Sequence, residues 1–451
     1  MKKVTKGKMW VFAIGQLGWS ILGGIITSWL VYFYQPDQEA LTLGHKLYVS
    51  QGAIIFGAIT IVGLVTMIAR IFDAFTDPLI ASLSDRSKFK LGRRIPFLRF
   101  AAFPFALVTV LIFFVPNDSI TVVNNLWFAV TLILFYLFMT LYCTPYNALI
   151  PELGKTQNDK INISTFISIT FIVGTALAYG APFIWDIFIS SGFERMTAIR
   201  ITFGILATLA LIFMLVPAFF IKERDYSECI PSKSKTFESL IKTFKNKSFK
   251  VFVLSDVFYF LALTLFQTGL PFFVVNLLGL AETMITVLFV VMTLTSFLFY
   301  LPVNILAKKL GKKKLVVIGF SIFAAVFFFA GFLGNYGFSS QAQGFLLAFS
   351  AAIPMAILGI LPQAIVADIA QAESKVTGEN REGMFFAART FSFKLGQSIS
   401  LLLFTSLATI KPEIGLGYRI ALFVAVFFTL LGAFVLTRYR EKETLSLLEN
   451  N

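Results

Sequence analysis

RIFDAFTDPLIASLSDRSKFKLGRR, residues 70–94, closes a largely apolar run that reaches back to Val49 and carries three charges, Arg70, Asp73 and Asp77. Solubility asks for no charge there. A charge inside an apolar helix is costly and usually has a task. The stretch then leaves the apolar run through a basic loop, so a membrane span and its exit lie side by side in the sequence.

The chain has 451 residues, 57% of them hydrophobic and 14% charged. A soluble domain of this size cannot hide so much apolar surface. Apolar runs of about 20 residues recur from end to end, each long enough to span a bilayer. The expected class is an all-α, multi-pass membrane protein, with the 54 phenylalanines serving lipid-facing and interhelical packing. Cys143 and Cys229 have neither metal nor redox spacing, and the single histidine, His45, lies in a short loop. No cofactor and no transition-metal site are expected. The basic start, MKKVTKGKMW, leads into an apolar segment that runs on to Phe33 without a small-residue cleavage site, so it reads as a retained first span.

Twelve spans are expected, over 9–34, 50–84, 95–115, 121–150, 163–190, 198–221, 251–278, 283–307, 314–334, 341–370, 384–411 and 415–437. They divide into an N-terminal six-helix bundle (1–221), a basic linker (222–250) and a C-terminal six-helix bundle with a short tail (251–451). An even number of spans puts both termini on one side. The tails and loops of that side hold 29 Lys and Arg, and the opposite loops hold 3, namely Lys46, Arg195 and Lys411. The positive-inside rule therefore places both termini in the cytoplasm, in a cell inner membrane. Insertion explains the net charge of +14, and no nucleic-acid partner is implied. Within the linker, Thr236 to Lys247 has the pattern of a short amphipathic helix on the membrane surface, where membrane lipids are its partners. No interface signature stands out, and a monomer is expected.

The loop after span 2, DPLIASLSDRSKFKLGRR, and the loop after span 8, LPVNILAKKLGKKK, share a Pro, a small polar residue and a Gly followed by basic residues. Six plus six spans with paired repeats is a transporter design.

Asp73 and Asp77, four apart, share a helix face, and Arg70 lies one turn earlier. Two carboxylates and one guanidinium leave a charge of −1. Such a group either captures a cation or keeps a proton. Carboxylates with nearby hydroxyls are hard oxygen ligands suited to Na⁺. The alternative is a structural ion-pair cluster that holds span 2 to a neighbour. At about 1.5 Å per residue from the cytoplasmic ends, Asp73 and Ser20 lie about 16 Å in, Thr140 and Lys394 about 15 Å, and Asp77 about 10 Å. Residues at these depths suit one cavity near the midplane, where transporter sites are found. Lys394 is the positive counterpart; snorkelling to an interface is the other reading of it. Arg389, near the cytoplasmic end, reads as a gate or headgroup contact. Gln16, Ser20, Tyr146, Asn147, Gln267 and Gln363 are candidate substrate contacts, each with an interhelical hydrogen bond as the alternative.

RIFDAFTDPLIASLSDRSKFKLGRRIPF resembles the span 2 to loop signature of the glycoside–pentoside–hexuronide:cation symporters, the melibiose permease-like family of the major facilitator superfamily. YCTPYNALIPEL is similar to the end of that family's fourth span, and GILPQAIVADIAQAESKVTGENREGMFFAARTFSFKLG to its spans 10 to 11. The resemblance implies the major facilitator superfamily fold, two six-helix bundles around a central cavity. It implies a coupling-cation site, Na⁺ or H⁺, at Asp73, Asp77 and Thr140, with Asp73 and Asp77 the Na⁺ candidates and Lys394 close to both cation and substrate. Arg70, Asp85, Arg86, Arg93, Arg94, Asp368, Arg381 and Arg389 would be gating or structural charges.

The sequence departs from the melibiose-permease pattern where sugar-binding acids of spans 1 and 4 are expected: those positions match Ser20 and Cys143, and an aromatic one turn later falls on Asn147. A different sugar or glycoside would then be read through Gln16, Asn147 and Lys394. Sodium-dependent lysophospholipid symporters share the Asp-x-x-x-Asp-Pro stretch and a run similar to Pro145–Leu149. The expected function is cation-coupled symport of a sugar or glycoside by alternating access, or of an amphipathic or anionic solute such as a lysophospholipid. No nucleophile–base pair or metal-ligand cluster points to an enzyme.

Overall fold

The computed structural model describes residues 4–53, 57–154, 156–226, 236–378 and 382–449. Its principal helices are α1 (Lys6–Tyr34), α2 (Ile61–Arg86), α3 (Ile95–Phe113), α4 (Val122–Leu153), α5 (Gln157–Tyr179, continued by Ala181–Ser190) and α6 (Arg195–Phe220). They are followed by α7 (Lys247–Phe272, continued by Phe273–Leu277), α8 (Thr283–Leu310), α9 (Lys312–Ala330), α10 (Ser340–Thr377), α11 (Glu382–Leu407) and α12 (Leu416–Leu436). Short helices cover Gln38–Thr42, Thr236–Thr243 and Glu441–Glu449.

Local chemistry starts many of these helices. The hydroxyls of Thr5, Thr121 and Ser339 and the Asn246 amide oxygen accept first-turn N–H groups, and Thr156 with Asp159 forms a reciprocal capping box. Each satisfies donors that a helix start leaves unpaired. Among the described residues, ten helices are long and apolar enough to cross a membrane. α2 and α11 are of similar length but carry internal charge: Arg70, Asp73 and Asp77 in one, Arg389 and Lys394 in the other.

Several boundaries differ from the sequence expectation. The second span starts at Ile61 rather than 50, because Gly52 and Gly57 take left-handed backbone angles of +84° and +68°. The fifth breaks at Gly180, where Pro182 opens a new helical turn. α10 runs on to Thr377 and ends on left-handed Gly378. The amphipathic linker helix stops at Thr243, since Asn246 caps the next helix.

The chain forms two compact units, Met1–Ile55 with Leu64–Ser234, and Phe56–Gly63 with Lys235–Asn451. In the first, α1 lies along α5 and α6, and α3 lies along α4 and α6. In the second, α7 lies along α11 and α12, and α9 along α10 and α12. The internal repeat is thus a repeat of packing. α8 packs closely on α10, and in the first unit polar side chains of α2 and α4 bond to one another.

Candidate functional site

α2 and α4 meet through matched rungs of side chains. Arg70, Asp73 and Asp77 face Tyr136, Thr140 and Thr144, and helical spacing puts each set on one face. The Arg70 guanidinium lies over the Tyr136 ring, 5.0 Å from its centroid. Asp73 is fully buried; its Oδ2 meets Arg70 Nη1 at 3.2 Å, and its Oδ1 accepts the Thr140 hydroxyl at 2.8 Å. Asp77 Oδ1 lies 3.4 Å from Thr140 Oγ1 and 3.3 Å from Thr144 Oγ1.

A hydroxyl has one proton to give. The shorter contact commits the Thr140 proton to Asp73, so Thr140 turns lone pairs toward Asp77. A proton or a hard cation between those oxygens relieves the repulsion. Among the described residues no three His, Cys, Asp or Glu gather into a metal-ligating group. The oxygen set here is two carboxylates completed by two hydroxyls, which fits a hard monovalent cation or a proton. Thr144 is the member that sequence reading missed. Its signal was the four-residue step from Thr140, the same step that separates Asp73 from Asp77.

The expected substrate contacts are dispersed. Gln16 Nε2 donates to Ser20 Oγ at 2.9 Å, and Ser20 donates to the Gln16 carbonyl at 2.6 Å, both buried. Ser20 sits against Gly174 of α5, where a Cβ would stand 2.6 Å from the Leu17 carbonyl oxygen. Tyr146 stacks on Phe12 with ring centroids 4.2 Å apart and donates to the Phe12 carbonyl at 2.6 Å. Ser20 and Tyr146 join α1 to α5 and α4, while Gln16 bonds within α1; the contacts described do not bring them to Asp73. Asn147 is exposed in the first unit. In the second unit Gln363 is exposed, Gln267 half-buried, and Lys394 9% exposed.

Most of the charges expected to gate or brace the structure form local networks. Arg93 meets Glu152 at 2.6 Å, and Arg94 meets Asp85 at 2.9 Å and Glu152 at 3.1 Å. The Glu223 carboxylate accepts the backbone N–H groups of Arg93, Arg94 and Ile95 at 2.9, 2.8 and 3.1 Å. It thereby caps the positive start of α3. Gly92 just before has φ +120°, and a Cβ there would collide with this carboxylate. In the second unit Gly311 has φ +86°, Glu441 accepts the Lys313 N–H at 3.0 Å, and Lys312 meets Asp368 at 2.6 Å. The faint sequence repeat is therefore one device built twice. Glu152, Glu223 and Glu441, its acidic partners, went unread in the sequence because each lies far along the chain from the loop it meets. Arg86 is exposed at the end of α2, and Arg381 lies outside the described residues.

Arg389 departs most from expectation. It is buried, not at a headgroup, and grips Asp256 of α7 with two bonds, Nε to Oδ2 at 2.8 Å and Nη2 to Oδ1 at 3.1 Å. Asp256, a carboxylate in the apolar seventh span, was overlooked.

A family model described as MFS/sugar transport protein matches residues 11–440. The uncharacterized symporter YjmB of Bacillus subtilis is 29% identical over 350 residues, 75% of this chain and 72% of that protein. The sodium-dependent lysophosphatidylcholine symporter 1 of Xenopus tropicalis is 23% identical over 74% of this chain and 69% of its own length. Among solved structures, a D-xylose-proton symporter superposes with a TM-score of 0.68 at 14% identity, covering 97% of this chain and 98% of its own, a likeness of fold.

Proposed function

The chain belongs to the MFS/sugar transport protein family, and from that premise we propose that it moves a sugar or glycoside in symport with a cation, Na⁺ or H⁺, by alternating access. It is a multi-pass protein of the cell membrane and a transporter, not an enzyme. The observation that carries the coupling is the pairing of buried Asp73 and half-buried Asp77 with Thr140 and Thr144 of α4. One guanidinium leaves that pair at −1, and a cation bound there completes it. Lys394 serves the substrate as a hydrogen-bond donor and positive charge. In this reading both termini face the cytoplasm, residues 222–250 link two six-helix bundles, and the protein works as a monomer among membrane lipids.

A second reading, symport of an amphipathic or anionic solute such as a lysophospholipid, draws on one observation. The polar atoms of Gln16, Ser20 and Tyr146 are engaged with one another or with backbone, which leaves fewer groups for sugar hydroxyls.

Thermal stability of the purified protein tests both readings, measured with a sugar and glycoside panel and with lysolipids, each in NaCl and in choline chloride. A ligand that binds only the folded state raises the apparent stability by mass action. A sugar shift that is larger in Na⁺ supports the first reading, and a lysolipid shift moves the protein to the second. Asp77→Asn should lose the Na⁺ response and cation-driven uptake while still folding. Concentrative uptake by that variant at the normal rate would rule out coupling at Asp77.

A further inference from the structure

α11 meets α7 along a single stripe. Arg389 holds both oxygens of Asp256. Phe393 stacks on Phe260 with centroids 4.2 Å apart. At Gly396 a Cβ would stand 3.0 Å from the Val257 carbonyl oxygen, and Ser400 donates to the Leu261 carbonyl at 2.8 Å. Positions 389, 393, 396 and 400 share one helix face.

The two charges are 7% and 3% exposed. A desolvated ion pair adds little net stability over an apolar pair of the same volume. What it does supply is direction, because a two-bond guanidinium–carboxylate fork fixes orientation as well as distance. A ring stack and a hydroxyl bond tolerate sliding and twisting far better than a fork does. Lys394 follows Phe393 by one residue, about 100° around the helix. A twist of α11 by one residue step would swing Lys394 to where its neighbour now stands.

We propose that the Asp256–Arg389 pair is the rotational key of α11: it sets the helix's azimuth against α7 and thereby aims Lys394. Asp256 and Arg389 are positioning residues that act through Lys394. The aim matters for transport only if Lys394 serves the substrate, as proposed above.

The test is a single-cysteine scan of positions 390–400, with Cys143 and Cys229 replaced by serine, read by the rate of labelling with a small methanethiosulfonate. With the pair intact, 393, 396 and 400 should be protected and reactivity should recur every three to four residues. Asp256→Asn should shift that pattern by one position or cut its contrast at least threefold. Arg389→Lys keeps the charge but loses the fork, and should do the same. The exchanged double variant D256R/R389D should restore the original pattern. An unchanged pattern in both Arg389→Lys and Asp256→Asn overturns the proposal. If Asp256→Asn does not fold, Arg389→Lys and the exchanged pair decide alone. Lys394→Ala, assayed by uptake of nitrophenyl glycosides and by a lysolipid-induced thermal shift, separates the two layers. An unaltered response to both removes the substrate role of Lys394 and the transport meaning of its aim, whichever way the cysteine pattern falls.

Discussion

The Thr140 hydroxyl donates to the Asp73 carboxylate across 2.8 Å and so joins α4 to α2. One small side chain therefore decides how an acid in one helix is presented to the neighbouring helix. Its oxygen also lies 3.4 Å from Asp77.

Replacing Thr140 by Val keeps the shape and removes the oxygen. A hydrogen bond to a charged group is worth roughly 1.5–3 kcal/mol, and about 1.4 kcal/mol is tenfold in affinity. The Na⁺ concentration that gives half-maximal thermal stabilisation should rise about ten- to hundredfold in Thr140→Val and stay within about threefold in Thr140→Ser. Equal responses in the two variants would remove Thr140 from the cation site.

Tyr146 donates to the Phe12 carbonyl at 2.6 Å and is fully buried, which ties α4 to α1. Tyr146→Phe should cost about 1 kcal/mol of stability, the ordinary net value of such a bond. The KM for the transported glycoside should not move. A tenfold rise in KM with unchanged stability would place the phenol against substrate instead.

Glu223 accepts three backbone N–H groups at the start of α3, whereas Glu441 accepts one at the start of α9. Glu223→Gln should therefore lower thermal stability more than Glu441→Gln. The first should cost about 1–3 kcal/mol, the desolvation penalty of buried groups left unpaired. Equal losses in calorimetry would show that the number of capped N–H groups does not set the cost.

His45 lies in the loop beyond α1, packed edge-on against the rings of Tyr32 and Phe33. Burial, with Arg195 nearby adding to it, lowers its pKa from 6.5 to about 3. Above pH 6.5 the folded and unfolded chains both hold it neutral, and stability is unaffected. Between pH 6.5 and 3 the unfolded chain takes up a proton that the folded chain refuses, so stability falls as pH falls. The slope contributed is at most about 1.4 kcal/mol per pH unit. His45→Phe should flatten the acid limb of a Tm-against-pH profile, and an unchanged limb would assign that sensitivity to carboxylates.

The membrane class and the helical content were legible because bilayer thickness and hydrophobicity act on local sequence. The first rung of the candidate site was legible for the same reason: Asp73 and Asp77 stand out in an apolar helix and share its face by spacing alone. Thr140 was marked by its depth and by family resemblance. Thr144 was not, because a threonine in a span is commonplace until the facing helix is known.

The sequence alone determined a multi-pass helical chain, the charges buried within it and a faint repeat. Only tertiary structure decided which of those polar groups meet. Gln16 and Ser20 were candidate substrate contacts but bond to each other within α1, and Tyr146 ties α4 to α1. Asp256 found Arg389, 133 residues away. Glu223 found the N–H groups beyond Gly92. Hydrophobicity is a property of each residue and is read one position at a time. Pairing of buried charge depends on how helices are turned about their axes, and packing between helices sets that rotation.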